Sequence, residues 1–377
     1  MMVFALTGAR IFTGDAFLDH HAVVIDGARV QSVEPESRIA ADVERRDLSG
    51  GLLAPGFIDV QVNGGGGSLL NDSPTLETVR AIAASHRRFG TAGLLPTVIT
   101  DAPSVIMKAA DAVGRARREG VPGVLGLHME GPFIDPERKG AHAARFIRKM
   151  SQEDVRCLTS LDCGTLMLTL APNKVSPDLI RQLADHGVLV SLGHAEATYE
   201  EAKAALEAGA RSFTHLYNAM SQMNGREPGM AGAALSDPHS FVGIIADGHH
   251  VHDAAMKAAF AAKPASRMML VSDAMPAAAG GPDQFELQGR KVFRAQGRLQ
   301  LEDGTLAGSD LTMDQAVRYC VNKLNLGLGD VLRMASLNPA TFLRLDHELG
   351  RIAPGYLASL VHLGDDLAVK AAWIDGA

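Results

Sequence analysis

From Leu52 onward the chain alternates short apolar runs with amphipathic stretches. Eight runs read as strands: Phe57–Val60, Gly93–Ile99, Val124–Leu127, Leu166–Leu170, Val188–Leu192, Ser212–His215, Val242–Ala246 and Met269–Ser272. Between most of them lie segments with apolar residues at helical spacing, among them Leu76–Phe89, Ser104–Arg118, Pro177–His186, Thr198–Ala208 and Asp253–Ala262. The Thr198 segment carries its own boundaries, because Thr198 and Glu201 have capping-box spacing and Gly209 stops the helix. Eight βα units in about 250 residues predict a (β/α)8 TIM-type barrel, an α/β fold. The alternative, an open doubly wound sheet, announces itself with a Gly-x-Gly-x-x-Gly turn after the first strand. Here the first strand runs into Gln61-Val62-Asn63-Gly64-Gly65-Gly66-Gly67, which lacks that spacing and leads directly into no helix. We read this run as a flexible active-site loop, with a phosphate cradle as the other reading.

The flanks follow a different period. Ala22-Val23-Val24-Ile25, the turn Asp26-Gly27 and Arg29-Val30-Gln31-Ser32-Val33 form a hairpin signal. Ala358–Leu363 and Val369–Ile374 have the same character. Neither end has enough strands to bury a core alone, so the two together predict one small β-sandwich domain. The expected division is residues 1–53 plus 341–377 for that domain and 54–340 for the barrel. Alternating apolar residues around Gly289 and Gly297 add a β-insertion near 284–302, before final helices at Thr312–Leu324 and Asp330–Ser336.

Composition narrows the function. Hydrophobic residues make up 46% of the 377 and charged residues 21%, as in an ordinary soluble enzyme. A net charge of -7 provides no footprint for nucleic acid, and no apolar run has membrane-spanning length. The first dozen residues carry no signal-peptide pattern, and Cys157, Cys163 and Cys320 suit free thiols in a reducing cytoplasm.

The chemistry is concentrated at the carboxyl ends of the predicted strands, where barrels of this kind work. His194 and His215 follow consecutive strands, which places two imidazoles side by side. A lone histidine at a strand end is usually unrelated to a metal; a neighbouring pair points to one. With Glu130 they make a two-His, one-carboxylate set that leaves coordination positions open, suiting catalytic Zn²⁺ or Fe²⁺. His128, two residues before Glu130, is a second residue on the same side of its strand. Asp273 ends an apolar run and needs a partner or a task, such as general base and then general acid to a leaving amine. Strand one offers Gln61 and Asn63, and strand seven Asp247, His249, His250 and His252. Asn218, Arg226 and His250 are candidates for a phosphate site, since a guanidinium with imidazole and backbone donors suits that anion. Arg226 taken alone reads as a solvated loop residue.

Together these segments resemble the N-acetylglucosamine-6-phosphate deacetylase family of the amidohydrolase superfamily. The carrying motifs are Pro55-Gly56-Phe57-Ile58-Asp59, His128-Met129-Glu130-Gly131-Pro132-Phe133, Lys139-Gly140-Ala141-His142, Thr214-His215-Leu216-Tyr217-Asn218-Ala219-Met220, Gly225-Arg226-Glu227-Pro228-Gly229, Ser272-Asp273-Ala274 and Leu306-Ala307-Gly308-Ser309. The resemblance implies hydrolysis of the acetamide of N-acetyl-D-glucosamine 6-phosphate, in amino-sugar catabolism and cell-wall recycling. It implies metal ligation by Glu130, His194 and His215, acid/base work by Asp273, and carbonyl polarisation by His142. It further implies phosphate contacts from Asn218, the Ala219 backbone and His250, and an Arg226 donated across a homodimer, with Leu306 and Ala307 lining the pocket. Many superfamily members carry His-x-His where this chain has Gln61-Val62-Asn63. Amides are poor metal ligands beside imidazole, so one divalent ion per chain is expected. Two rival readings remain at this point: a deacetylase of a related sugar such as N-acetylgalactosamine 6-phosphate, and a non-catalytic sugar-binding barrel.

Overall fold

The structure is a computed structural model describing residues 3–377. Its centre is an eight-stranded parallel sheet of β1 Phe57–Val62, β2 Thr91–Ile99, β3 Gly126–Glu130, β4 Thr165–Leu170, β5 Leu189–Leu192, β6 Ser212–Phe213, β7 Phe241–Ile244 and β8 Met268–Leu270, paired in chain order. These are the eight predicted strands with shifted ends. Nearly every residue in them is buried, as expected when side chains fill the barrel on one face and helices cover the other. The third strand runs on through His128 to Glu130, so both side chains leave from within a regular strand.

The barrel is closed by a seam rather than by a ladder. Beyond β8, the Asp273 N–H donates to the Gln61 carbonyl at 3.0 Å and the Gly64 N–H to the Ala274 carbonyl at 2.9 Å. Asp59 completes the seam with its side chain, whose two carboxylate oxygens each lie 3.3 Å from the Ser272 N–H. Burial pushes this carboxyl up to about 7 although those hydrogen bonds pull it down. The seam fixes Gln61 and Asp273 side by side.

Helix boundaries follow local chemistry. Thr198 caps the helix Tyr199–Glu207 in a reciprocal box with Glu201. At Met313–Asn322 the Gln315 side chain accepts the Thr312 N–H at 2.9 Å, and the Thr312 hydroxyl donates to Asp314. Ser176 caps Pro177–Asp185, with proline in the first turn, where its missing N–H costs nothing.

The run after β1 is not a flexible loop. Gly64–Gly65 pairs with Ser68–Leu69 as a tight hairpin. The N–H groups of Gly64, Gly66 and Gly67 are spent on the carbonyls of Ala274, Ala278 and Pro276, which also removes the phosphate-cradle reading. A Cβ at Gly64 would meet the Ser68 carbonyl at 2.3 Å, so glycine is there for close packing rather than for motion.

Strands from both chain ends share one five-stranded sheet, in which Leu52–Pro55 pairs with Arg10–Phe12 on one side and Leu360–Leu363 on the other. A four-stranded sheet holding the predicted hairpin, His21–Asp26 and Arg29–Pro35, is the second layer. Phe4, Leu6, Ile11, Val23, Ile25, Leu53 and Leu360 fill the space between the layers. A division between residues 53 and 54 passes through Leu52–Pro55, and one at 341 through the helix Leu337–Phe342, whose Phe342 packs on Phe241 of the barrel. We propose Gly56 as the joint, where a Cβ would lie 2.3 Å from that of Ala92.

The insertion is a three-stranded antiparallel sheet, Gln284–Leu287, Arg290–Ala295 and Arg298–Leu301. Its Leu287, Val292, Leu299 and Leu301 pack with Leu69, Ile99, Met275 and Ala307 in a separate apolar cluster. This cluster roofs one side of the barrel's carboxyl-terminal face. No helix among the described residues is long and apolar enough to cross a membrane.

Candidate active site

Three buried side chains meet at the carboxyl ends of β3, β5 and β6. Glu130 Oε1 lies 3.2 Å from His194 Nε2 and 3.1 Å from His215 Nε2, and the two nitrogens are 3.1 Å apart. Ligands about 2.0–2.2 Å from one cation have separations of this size. The rest of the geometry also suits a cation. His194 Nδ1 donates to the Arg138 carbonyl at 2.9 Å, so the neutral ring presents a bare Nε2 lone pair to the cluster. His215 Nδ1 is buried without a partner. No other group of three such ligands is found among the described residues.

The backbone bends to bring these groups together. His194, His215 and Asp273 have φ of 49°, 32° and 52°, in the left-handed region that non-glycine residues avoid. Each lies just past the end of its strand, at Leu192, Phe213 and Leu270 respectively. Backbone strain of this kind, roughly 1–3 kcal/mol per residue, is tolerated where the surroundings over-determine it.

Charge is shared across the cluster. Burial raises Glu130, but the neighbouring His142, His194 and His215 outweigh it and hold the carboxyl well below its ordinary range. Burial alone lowers His215; its bond to Glu130 and the charge of that carboxylate reverse the effect. Asp273 is pushed up to about 6 by burial and then by the Glu130 charge. Gln61 Nε2 donates to Glu130 Oε1 at 3.0 Å and to Asp273 Oδ1 at 3.1 Å, and Asn63 Nδ2 donates to the same Asp273 oxygen at 2.7 Å. Both amides therefore act as donors that brace two carboxylates.

A cavity of about 380 Å³ opens above this floor. Of the residues singled out in the sequence, Asn63, Glu130, His142, His194, His215, Asn218, Ala219, His250, Asp273, Leu306 and Ala307 line it. His142 sits 3.7 Å from Glu130 Oε2 through Nε2, with its ring 4.4 Å from that of His194; burial and the neighbouring His194 push it down to about 4. His250 Nδ1 donates to Asp247 Oδ2 at 2.6 Å, and Asp247 Oδ1 accepts the N–H groups of His249 and His250. Leu306-Ala307-Gly308-Ser309 runs beside the last insertion strand and braces the Asp273 turn, the Ser309 N–H donating to the Asp273 carbonyl at 2.9 Å.

Several candidates lie elsewhere. His128 stands apart from the Glu130, His194 and His215 cluster: it joins a buried chain of hydroxyls, with Thr97 Oγ1 at 3.2 Å from Nδ1 and Thr169 Oγ1 at 2.8 Å from Nε2, and burial holds it near 4. His249 meets Arg298 of the insertion, and His252 caps the helix Asp253–Ala262. Arg226 is exposed and outside the cavity lining, on an exposed segment from Gln222 to Glu227. Conversely, the sequence reading passed over Thr100, whose Oγ1 lies 2.8 Å from His142 Nδ1. It is the polar residue that follows β2, and applying the strand-end rule to that strand would have found it. The Arg138 carbonyl and the apolar wall of Ile99, Met275 and Leu287 had no such signal.

Comparison with known proteins places the whole chain beside characterised relatives. Residues 3–53 match a model described as the NagA composite domain. The chain is 42% identical over 371 residues to an N-acetylgalactosamine-6-phosphate deacetylase of Shewanella sp. (strain ANA-3), covering 98% of this chain and 94% of that protein. The crystal structure of an N-acetylglucosamine-6-phosphate deacetylase from Pasteurella multocida superposes with a TM-score of 0.97 at 33% identity, covering 100% of this chain and 99% of that one. A mutant N-acetyl-D-glucosamine-6-phosphate deacetylase from Mycobacterium smegmatis, in complex with N-acetyl-D-glucosamine-6-phosphate, superposes with a TM-score of 0.93 at 32% identity, covering 100% and 99%. Residues 52–377, which contain the whole barrel and every residue of the site, match the amidohydrolase family model, and the chain belongs to the amidohydrolase family.

Proposed function

We propose that the protein hydrolyses the acetamide of N-acetyl-D-glucosamine 6-phosphate, releasing acetate and D-glucosamine 6-phosphate. The observation that carries this reading is Asp273, held by Gln61 and Asn63, beside two imidazoles and a carboxylate that converge on one point. Glu130, His194 and His215 would hold one divalent cation, Zn²⁺ or Fe²⁺, which supplies a Lewis acid and activates water near neutral pH. Asp273 accepts a proton from the attacking water and returns it to the departing amine. His142 donates through Nε2 to the oxygen of the acetyl carbonyl, where negative charge develops. Asn218, the Ala219 backbone and His250 receive the phosphate, and Leu306 and Ala307 flank the sugar. The three unpaired cysteines support a reducing, cytoplasmic setting.

The relative named for N-acetylgalactosamine 6-phosphate favours a second reading, with the 4-epimer as substrate. Acetate release from both phosphorylated epimers and from their unphosphorylated forms tests both readings. Comparable kcat/KM with and without phosphate would defeat either one, and the faster phosphorylated epimer identifies the sugar.

The exposure of Arg226 supports a contribution in trans, from one protomer of a homodimer to its partner's site. Guanidinium grips phosphate through two charge-assisted bonds. Losing it costs about 1.5–3 kcal/mol, so Arg226→Ala should shrink the preference for phosphorylated substrate by roughly ten- to a hundredfold. Mixing Arg226→Ala with Asp273→Asn protein should restore phosphate-selective activity in hybrids that have one intact site. If subunits exchange and none returns, the arginine does not act in trans.

A further inference from the structure

We infer that Thr100 is a positioning residue that sets the tautomer of His142, and through it the direction in which the cavity donates a proton. The inference rests on the proposed role of His142 and adds the reason that ring is competent for it.

Thr100 follows β2 and is fully buried. Its single hydroxyl hydrogen has two acceptors within reach: His142 Nδ1 at 2.8 Å and the Glu130 main-chain carbonyl at 3.3 Å. The nearer one is at a normal O–H···N distance, whereas 3.3 Å is long for a hydroxyl donor. A neutral imidazole carries one N–H, and the nitrogen that accepts a bond is the bare one. If Thr100 donates to Nδ1, the ring proton sits on Nε2. That nitrogen faces Glu130 Oε2 at 3.7 Å and the open cavity. A carboxylate only accepts, so an N–H there is attracted to it and a lone pair would be repelled. Both neighbours of the ring thus select the same tautomer.

The consequence is chemical. Only with Nε2 protonated can His142 donate to an acyl oxygen above the cluster; with the proton on Nδ1 the cavity would present a lone pair to a carbonyl that is gaining negative charge. Ring packing against His194 at 4.4 Å limits reorientation, so the hydroxyl acts on which nitrogen carries hydrogen without having to hold the ring in place.

The test uses the metal-loaded protein, Thr100→Val, which keeps the shape and removes the hydroxyl, and Thr100→Ser, which returns it. Partners that orient a site imidazole typically matter by roughly ten- to a hundredfold. Thr100→Val should lose kcat on that scale with KM and metal content within about twofold, and Thr100→Ser should recover most of it. Nitrogen-15 spectra of histidine-labelled protein should show His142 Nδ1 as the bare nitrogen and Nε2 as the N–H, with this preference weakened in Thr100→Val, where Glu130 alone still selects it. Two results overturn the inference: an Nδ1 proton in the unmodified protein, or wild-type kcat in folded Thr100→Val. A His142→Asn protein with full activity overturns the role of His142 itself, and the spectrum tells that failure apart from a wrong tautomer.

Discussion

Replacing Asp273 with Asn is expected to lower kcat by roughly 10²–10⁴-fold, the usual contribution of a positioned general acid or base. The substitution preserves size and one acceptor oxygen, so Gln61 and Asn63 keep a partner and the seam to Gln61 is main-chain and untouched. Metal content and substrate binding should therefore survive. A variant within about tenfold of wild type would leave Asp273 only about 1.4 kcal/mol of barrier, too little for a group serving both halves of the reaction. The pH dependence follows with a definite sign. Burial and then the Glu130 charge raise Asp273 to about 6, so its base form is lost as pH falls through that value. A bound divalent cation adds positive charge and moves the titration downward. The acid limb of kcat/KM should lie at or below about 6 and should be missing from the residual activity of Asp273→Asn.

The second large effect is loss of the cation. Chelation should abolish activity, and either Zn²⁺ or Fe²⁺ should restore it at about one ion per chain, as a single three-ligand site requires. His194→Ala or Glu130→Gln should give protein that no longer retains the ion. A readout independent of turnover is thermal unfolding, because a ligand that binds only the folded state stabilises it. The buried Glu130 carboxylate, with two Nε2 atoms 3.1 Å apart beside it, should make the chelated wild type melt lower than the loaded form. Full activity after exhaustive chelation would remove the metal from the reaction.

Much of this molecule is local and therefore legible in the sequence. The eight apolar runs fill a two-sided environment, and their period reports it whatever the topology. Capping at Thr198 and Thr312 depends on residues three apart. Glu130, His194, His215 and Asp273 were visible because a parallel barrel presents strand ends on one face, so position along the chain predicts position in space.

What only the tertiary structure decided depends on groups distant in sequence. The glycine run after β1 looked mobile because glycine frees the backbone; it is pinned because carbonyls of Ala274, Pro276 and Ala278, more than two hundred positions away, take its N–H groups. Asp59 looked like part of a family motif, and its work, closing the seam on Ser272, exists only once the barrel has formed. The left-handed turns at His194, His215 and Asp273 are disfavoured locally and are held by the packing around them. His128 and Glu130 are two residues apart on one strand, yet one enters the hydroxyl chain and the other meets His194 and His215. Periodicity assigns a residue to a face of the sheet; which partners stand opposite it is set by neighbouring strands, whose distance along the chain no local pattern encodes.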